Sequence, residues 1–228
     1  MTIDTRSTSH LPAADSTIHR VAGLVLAGGE GRRMGGQDKG LLPYHGVPLA
    51  LHAARRLAAQ ACPVLISANR HLEEYRGFGY PVVQDTLPGF NGPLAGILAA
   101  MAALDTLATE GEPPAYLAVV PCDTPHFPAD LVPRLLAAAS GGKAVVHAAA
   151  GGRDHYACAL LRTDLAADLA AYLAGGGRSI RGWYERHGAA TVIFADPDAF
   201  ANLNSPDSLL AAEAAEKGKK PQGKTQKH

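Results

Sequence analysis

The sequence has little of what marks several large classes of protein. Its 228 residues include three cysteines, Cys62, Cys122 and Cys158. None has C-x-x-C spacing, so neither a disulfide framework nor a zinc site is expected. No apolar run approaches the roughly 20 residues that span a membrane, and the N-terminus lacks the pattern of a secretory signal. These absences predict a protein of the reducing cytoplasm, neither exported nor embedded in a membrane.

The chain also has no excess of charge of either sign. Twenty-one lysines and arginines balance twenty-one aspartates and glutamates, so no overall positive field attracts nucleic acid or anionic lipid. Aromatic residues make up 6% of the chain, and they form no pattern on which bases would stack. General RNA or DNA binding is therefore disfavoured, and any site for an anion must be local.

The composition is that of one globular domain between two polar ends. Hydrophobic residues make up 47% of the chain and charged residues 18%, and the length suits a single core. Residues 1–18 are polar without periodicity, which predicts a disordered leader. Residues 213–228 are assigned to a basic, lysine-rich tail. The folded domain should therefore span residues 19–212.

Short β-rich runs alternate with alanine- and leucine-rich helical stretches between these ends. The strand candidates are VAGLVLA, PVLISAN, YPVVQD, AYLAVVPCD, KAVVHAAA, YACALLR and ATVIFAD. Helices separate most of them, which predicts an α/β fold: a Rossmann-like three-layer sandwich whose mostly parallel sheet is covered on both faces. Only GGRD stands between KAVVHAAA and YACALLR. This pair should therefore be an antiparallel hairpin, inside the sheet or at its edge.

The strongest local signal is the glycine-rich segment LAGGEGRRMGGQDKG, residues 26–40, which begins where the first strand ends. Glycine lets backbone N–H groups approach a phosphate closely, and Arg33 and Lys39 add charge-assisted hydrogen bonds. Two familiar phosphate loops are excluded, because Met34 replaces the third glycine of the dinucleotide pattern and Gln37 replaces the Walker lysine. A flexible surface loop is the alternative, which the basic residues and the preceding strand make weaker.

Asp123 is the main candidate for holding a divalent ion. It ends the strand AYLAVVPCD, between Pro121 and Pro125, whose rings restrict the backbone. Mg²⁺ binds through one or two carboxylates and takes its other ligands from water and substrate phosphates. Capping of the next helix is the alternative. That helix should begin only at Pro128, too far along the chain for Asp123 to cap it.

Other polar residues follow strands of the predicted sheet. Asn69 and Asp85 end two of them, and their side chains suit the hydrogen-bonding edges of a base or ribose. Ligands of open α/β sheets bind beyond the carboxyl ends of the strands, so these residues should share one cleft with Asp123. Asn202 and Asn204 are two positions apart and face the same side of an extended segment, which favours contact with a ligand over a structural turn.

The pattern places Arg153, Asp154 and His155 in the tight turn of the hairpin, after Gly151 and Gly152. A polar cluster at this position is typical either of the edge of a ligand site or of a turn closed by a salt bridge. The residues alone leave both interpretations open.

These motifs are similar to those of a known group of enzymes. The segment LAGGEGRRMGGQDKGLLPYHGVPL resembles the signature of nucleotidyltransferases with a glycosyltransferase-A-like fold. SANRH, VVQD, GPLAGI, PCDTP, GRDH and NLNSP follow in order. The resemblance therefore covers about residues 20–212 and points to the molybdenum cofactor guanylyltransferases. It implies an enzyme that joins GMP from GTP to the terminal phosphate of molybdenum-molybdopterin and releases pyrophosphate, using Mg²⁺ or alternatively Mn²⁺.

The resemblance also assigns residues to each substrate. Those implied to bind GTP are Leu26, Ala27, Gly28, Gly29, Lys39, Asn69, Asp85 and Asp123. Those implied to face molybdopterin are Asp154, Asn202 and Asn204. Arg33, Lys39 and Asp123 would be catalytic, and Asp123 would hold the metal ion. Transient contacts with molybdenum-insertion proteins and molybdoenzyme apoproteins are a further implication.

The chain departs from the family pattern at Ser67, where asparagine is frequent, and at Tyr156, where proline is frequent. A cytidylyltransferase for the same cofactor is the nearest alternative, although such relatives tend to have Ala-Ala-Gly where this chain has Ala27-Gly28-Gly29. A guanylyltransferase acting on another phosphorylated small molecule is a second alternative. A nucleotide-binding module without activity is a third, which the presence of both Lys39 and Asp123 disfavours.

Overall fold

The computed structural model describes residues 20–28, 38–85, 92–107, 112–204 and 206–219. Gly29 and Arg33 lie outside this described part, as do the predicted leader and the end of the predicted tail. The strands are β1 (Val21–Leu26), β2 (Pro43–Tyr44), β3 (Val47–Pro48), β4 (Val64–Ser67), β5 (Val82–Val83), β6 (Tyr116–Pro121), β7 (Val145–Ala150), β8 (Arg153–Arg162) and β9 (Ala190–Phe194). The helices are α1 (Leu49–Ala58), α2 (Leu72–Arg76), α3 (Pro93–Leu107), α4 (Leu131–Ala139), α5 (Ala166–Ala174), α6 (Ile180–Arg186) and α7 (Pro206–Lys219).

Seven strands form one sheet in the order β5-β4-β1-β6-β8-β7-β9. All neighbouring pairs are parallel except those of β8, which is antiparallel to both β6 and β7. The predicted mostly parallel sheet and its antiparallel hairpin are thus confirmed, and the hairpin lies inside the sheet. The short strands β2 and β3 form a separate antiparallel pair before α1.

Helices cover both faces of the sheet, as the near-continuous apolar strands predict. On one face, α1 packs its stripe of Ala50, Ala53, Ala54 and Leu57 against the strands, together with α4. On the other face, α3, α5 and α6 enclose a second core that contains Trp183. Within the described ranges, no helix is long and apolar enough to cross a membrane.

The turn of the β7–β8 hairpin differs from the sequence interpretation. Gly151 and Gly152 alone form it, with φ angles of +56° and +73°, a conformation that residues with a Cβ rarely adopt. Residues 153–155 therefore belong to β8 and pair with the end of β7 instead of lying in the turn. The register of this pair shifts beside His147, so a bulge decides which way the following side chains point.

Several short elements lacked a clear sequence signal, including α2, α6 and the β2–β3 hairpin. The last helix, α7, continues past residue 212 to Lys219, across the predicted boundary between domain and tail. A small cluster of Tyr44, Leu49, Leu203 and Leu209 packs this helix and the β2–β3 hairpin onto the start of α1. The segment around Asn202 and Asn204 is thereby held against the domain.

Candidate active site

The ends of β1, β4 and β6 lie side by side at one edge of the sheet. Leu26 is opposite Ser67 on one side and Pro121 on the other. Backbone hydrogen bonds from Ala27 N to Ser67 O (2.9 Å) and from Cys122 N to Leu26 O (3.0 Å) continue this pairing past the strand ends. The glycine-rich segment, Asn69 and Asp123 therefore begin at one edge, as the sequence predicted.

Asp123 and Lys39 form the centre of the site. Lys39 Nζ lies 2.9 Å from Asp123 Oδ2, and the side chains are 29% and 15% exposed. Residues 84 positions apart in the sequence are thus in direct contact. Because both groups are partly exposed, the ammonium group can reach a bound phosphate and the carboxylate can reach a divalent ion.

Asn202 and Asn204 reach the same centre from the segment before α7. Asn204 Oδ1 accepts a hydrogen bond from Lys39 Nζ, while Asn202 Oδ1 accepts one from Thr124 Oγ1 at 2.8 Å. Between them, Leu203 is buried, and its backbone N–H donates to Asp123 O at 2.8 Å. The alternation therefore places one apolar side chain in the core and both amides at the site.

Asn69 and Asp85 form a pair at the ends of β4 and β5. Asn69 Nδ2 donates to Asp85 Oδ2 at 2.8 Å, and Asp85 N donates to Asn69 Oδ1 at 2.9 Å. The other carboxylate oxygen, Asp85 Oδ1, is buried and has no hydrogen-bond partner among the described residues. Burial raises the pKa of this carboxyl, and the bond from Asn69 partly offsets the effect. An acceptor without a partner is suited to a ligand N–H group.

Asp38 and Tyr75 form a buried contact directly beside Lys39 in the chain, which sequence reasoning missed. Asp38 Oδ1 accepts hydrogen bonds from Tyr75 Oη at 2.6 Å and from Gly40 N at 3.1 Å. Burial raises the pKa of Tyr75, and the hydrogen bond to Asp38 raises it further. The phenol therefore keeps its proton and donates a hydrogen bond to Asp38 Oδ1. A Cβ at Gly40 would lie 2.3 Å from Tyr75 Oη. The only sequence signal was the position of Asp38 directly before the lysine.

Replacing Tyr75 by phenylalanine should therefore misplace Lys39. We expect kcat for nucleotidyl transfer to fall by about 10- to 100-fold, because small displacements of a positioned group are costly. The free energy of unfolding should fall by about 1 to 3 kcal/mol, because a buried carboxylate loses a donor. Steady-state kinetics and thermal unfolding measure the two effects.

The matched control is Tyr80→Phe, which removes the hydroxyl of a half-buried tyrosine that packs against the same core. It should leave kcat unchanged. A Tyr75→Phe enzyme that loses stability but keeps its kcat would show that the contact is structural and does not position Lys39.

Asp154 lies at the same edge of the sheet but already has partners. Its carboxylate accepts from Tyr156 Oη at 3.0 Å and lies 3.1 Å from His147 Nε2. The hydrogen bond with His147, followed by that with Tyr156, lowers the pKa of Asp154. His155, on the opposite face of the strand, stacks on Phe200 with ring centroids 4.6 Å apart. Contact of Asp154 with the second substrate stays a prediction.

The donor set around Asp123 fits an ion that binds mainly through its substrate. Among the described residues, no group of three or more histidine, cysteine, aspartate or glutamate side chains could hold a metal ion. Mg²⁺ commonly binds proteins through only one or two carboxylates and completes its coordination with phosphate and water oxygens, which a single carboxylate such as Asp123 allows.

Together, the mostly parallel sheet, the glycine-rich segment after β1 and the Lys39–Asp123 pair at the strand ends define a nucleotidyltransferase. The family model described as "MobA-like NTP transferase domain" matches residues 23–191. The molybdenum cofactor guanylyltransferase of Cupriavidus pinatubonensis is 44% identical over 200 residues, covering 85% of this chain and 96% of that protein. The chain therefore belongs to the MobA-like nucleotidyltransferase family.

Solved structures agree with this assignment at the level of the fold. Molybdopterin-guanine dinucleotide biosynthesis protein A from Archaeoglobus fulgidus has a TM-score of 0.69 and 19% identity, covering 86% of this chain and 99% of that chain. The 4-diphosphocytidyl-2C-methyl-D-erythritol synthase from Anaerococcus prevotii has a TM-score of 0.67 and 9% identity, covering 89% and 99%. The predicted glycosyltransferase-A-like fold is thereby confirmed.

Proposed function

We propose that this enzyme transfers GMP from GTP to the terminal phosphate of molybdenum-molybdopterin, giving molybdopterin guanine dinucleotide and pyrophosphate. The observation that carries the proposal is the contact between Lys39, at the end of the glycine-rich segment, and Asp123, which follows β6. The curated relative from Cupriavidus pinatubonensis, named a molybdenum cofactor guanylyltransferase, supports the choice of substrates.

The proposed reaction exchanges one phosphoanhydride bond for another. An oxygen of the pterin phosphate attacks the α-phosphorus of GTP, and the bond from that phosphorus to the oxygen bridging the α- and β-phosphates breaks, so that pyrophosphate leaves with the bonding electrons. The attacking phosphate is already ionised at neutral pH, so the reaction needs no general base.

Charge repulsion is the main obstacle to this reaction. Two unit charges 4 Å apart repel by about 1 kcal/mol in water and about 4 kcal/mol at an effective dielectric constant of 20. Lys39 offsets this repulsion at the phosphates and stabilises the charge that develops on pyrophosphate. We include Arg33, which precedes Lys39 in the same segment, in this role. When bound at Asp123, Mg²⁺ or Mn²⁺ would supply further charge neutralisation.

The strand ends provide the proposed guanine and ribose site. Leu26, Ala27, Gly28 and Gly29 would form one side, with Asn69 and Asp85 on the other. A Cβ at Gly28 would lie 3.4 Å from Asn69 Nδ2, so the absence of a side chain leaves the strand end open. The unpartnered Asp85 Oδ1 would accept from the N–H groups of guanine.

Changing Asp85 to alanine should therefore raise the KM for GTP by roughly tenfold or more, because hydrogen bonds to charged groups contribute about 1.5 to 3 kcal/mol. The kcat should change much less. Steady-state kinetics with GTP as the varied substrate separates the two parameters. A kcat loss at unchanged KM would instead place Asp85 near the reacting phosphates.

The pterin side of the site is proposed at Asn202 and Asn204, with Asp154 as an additional contact. Both asparagines already bond to residues of the centre, Thr124 and Lys39. An acceptor bound there would be adjacent to the residues that hold the triphosphate, as direct transfer requires.

The first test of the proposed function is thermal unfolding of the purified protein with Mg²⁺ and GTP, CTP or ATP in turn. A ligand at one hundred times its Kd adds about 2.7 kcal/mol of stability. In a chain of this size that should raise Tm by roughly 5 to 10 °C. We expect this rise with GTP.

A rise with CTP alone would instead identify a cytidylyltransferase. A rise with GTP followed by no transfer to molybdenum-molybdopterin would indicate another phosphorylated acceptor or a binding module without activity. Formation of molybdopterin guanine dinucleotide, detected together with pyrophosphate release, would establish the reaction.

We also propose that the enzyme acts in the cytoplasm and contacts molybdenum-insertion proteins and molybdoenzyme apoproteins transiently, because its product is a cofactor for other proteins. Affinity purification after crosslinking, from cells that make the cofactor, should recover such proteins. Their absence, with the same proteins present in the lysate, would contradict this proposal.

A further inference from the structure

A second cavity, of about 460 Å³, lies on the flank of the domain. It is bounded by the β2–β3 hairpin, by α1 and the turn after it, and by the segment that links β6 to α4. None of Lys39, Asp123, Asn202 and Asn204 lines it. The connecting segment nevertheless follows Asp123 directly, since Pro125 and His126 form part of the cavity wall. The cavity is thus beside the active site and separate from it.

The polar lining of this cavity is basic. Its charged and titratable side chains, with one buried amide, are Tyr44, His45, His52, Arg55, Arg56, Gln60 and His126. None of the described residues that line it carries a carboxylate, although the whole chain has equal numbers of acidic and basic residues. The nearby Glu213 on α7 accepts a hydrogen bond from the backbone N–H of His45, at 2.6 Å. The excess of positive charge is therefore local.

Arg56 is the strongest indication that an anion binds in this cavity. Its side chain is half-buried, and burial lowers its pKa, as expected for a cation without a nearby counter-charge. Nε donates to the backbone oxygen of Phe127, whose ring also lies beside the guanidinium. A guanidinium has five N–H donors, so donors remain for a ligand.

Rigid neighbours hold the remaining groups in position. His52 Nε2 lies 2.7 Å from Tyr44 O and therefore donates to it, because a carbonyl oxygen only accepts. The ring of buried Tyr44 contacts His52 and His126 edge-on, and its hydroxyl lies 3.0 Å from His126 Nε2. Gln60 bonds to Pro128 O and Val132 N and fixes the connecting segment to the end of α1. Arg55 is exposed at the rim.

We propose that this cavity binds the phosphate group of a small molecule, at a site distinct from the nucleotide site. The guanidinium groups of Arg55 and Arg56 at one cavity match the oxygens of a phosphate, which arginine binds through paired N–H donors. The volume exceeds what a single phosphate needs and lies in the range of sites for small organic ligands. The shared chemistry of these ligands is phosphate, free or esterified.

The test uses pyrophosphate, inorganic phosphate and ribose 5-phosphate as probes, titrated calorimetrically into Lys39→Ala protein. This background weakens binding at the nucleotide site, so the heat that remains reports the second cavity. Adding Arg55→Gln should raise the Kd of the probes by about tenfold or more, because a charge-assisted contact is lost. Arg181→Gln, an exposed arginine on α6 that pairs with Glu185, is the matched control and should leave the Kd unchanged.

Either a preference for ribose 5-phosphate or equal binding of all probes supports the site, and the two results separate an organic phosphate from the free ion. Two results would overturn it: no binding by the Lys39→Ala protein, or equal binding with and without both Arg55→Gln and Arg56→Gln. Because the assay needs no GTP, failure of the proposed guanylyl transfer would leave this result unaffected.

Discussion

Replacing Asp123 by alanine is expected to lower guanylyl transfer by about three orders of magnitude, because the proposed reaction would lose the one protein ligand that we assign to the metal ion. Metal-ion stabilisation of transition-state charge contributes several kcal/mol, and each 1.36 kcal/mol corresponds to about tenfold in rate. Asp123→Asn should lower the rate by a similar factor, since the amide keeps the shape of the side chain and removes its charge. Initial rates measured over a range of Mg²⁺ concentrations test both variants.

The fold should tolerate this change. The Asp123 side chain is partly exposed, and the bond that anchors the neighbouring segment, from Leu203 N to Asp123 O, involves only the backbone. Loss of the ion pair with Lys39 should cost no more than about 1 kcal/mol, or about 2 to 4 °C in Tm.

Asp130→Ala is the matched control, because Asp130 lies on the same connection, is exposed, and has only a distant ion pair with Arg134 at 3.9 Å. We expect it to retain full activity. A folded Asp123→Ala enzyme with more than about a tenth of the normal rate would remove this carboxylate from the mechanism, since loss of even one stabilising group typically costs more.

Replacing Lys39 by alanine should lower the rate nearly as much as replacing Asp123, and it should also weaken the binding of GTP. Lys39 contacts Asp123 and Asn204, so its loss removes both a positive charge at the phosphates and a link between the two sides of the site. We expect kcat to fall by about 100- to 1,000-fold, the range for loss of one charge-stabilising group, together with a higher KM for GTP.

Lys143→Ala is the control for loss of a lysine, since Lys143 lies before β7, at the opposite end of the sheet, and donates to Gly188 O at 3.2 Å. Lys143→Ala should leave kcat and the KM for GTP unchanged. Lys39→Arg should recover only part of the activity, because the guanidinium is planar and larger than the ammonium. Full activity in Lys39→Ala would contradict the proposed role in holding phosphates.

The double variant tests whether the two residues act as a unit. Because Lys39 and Asp123 are in direct contact, the effects of the two substitutions on the rate should not be additive. We expect Lys39→Ala combined with Asp123→Ala to be little slower than the worse single variant. A rate equal to the product of the two single losses would mean that the groups act independently.

The architecture was accessible from the sequence because it depends on local patterns. Alternation of β-rich runs with helical stretches predicted the mostly parallel sheet, and the short GGRD connection predicted the antiparallel pair. In a parallel sheet the strands end at the same edge. This rule alone predicted that Asn69 and Asp123 would lie at one edge with the glycine-rich segment, which the structure confirms.

Local sequence patterns did not predict where the side chains of the β7–β8 hairpin lie. The sequence located the polar residues of the hairpin in its turn, but Gly151 and Gly152 suffice for the turn. Residues 153–155 instead belong to β8. A bulge beside His147 determines on which face of the sheet their side chains lie. Register and bulges depend on packing between strands, which a local pattern does not contain.

The sequence by itself thus determined the class of fold and the edge of the sheet where the candidate site lies, and it selected Lys39 and Asp123, whose side chains are in contact in the structure. Only the tertiary structure decided that Asn204 bonds to Lys39, that Tyr75 bonds to Asp38 beside the lysine, and that one oxygen of Asp85 has no partner among the described residues. Such contacts join residues far apart in the chain. They are set by the packing of whole helices and strands, whereas sequence periodicity reports only which face of each element is buried.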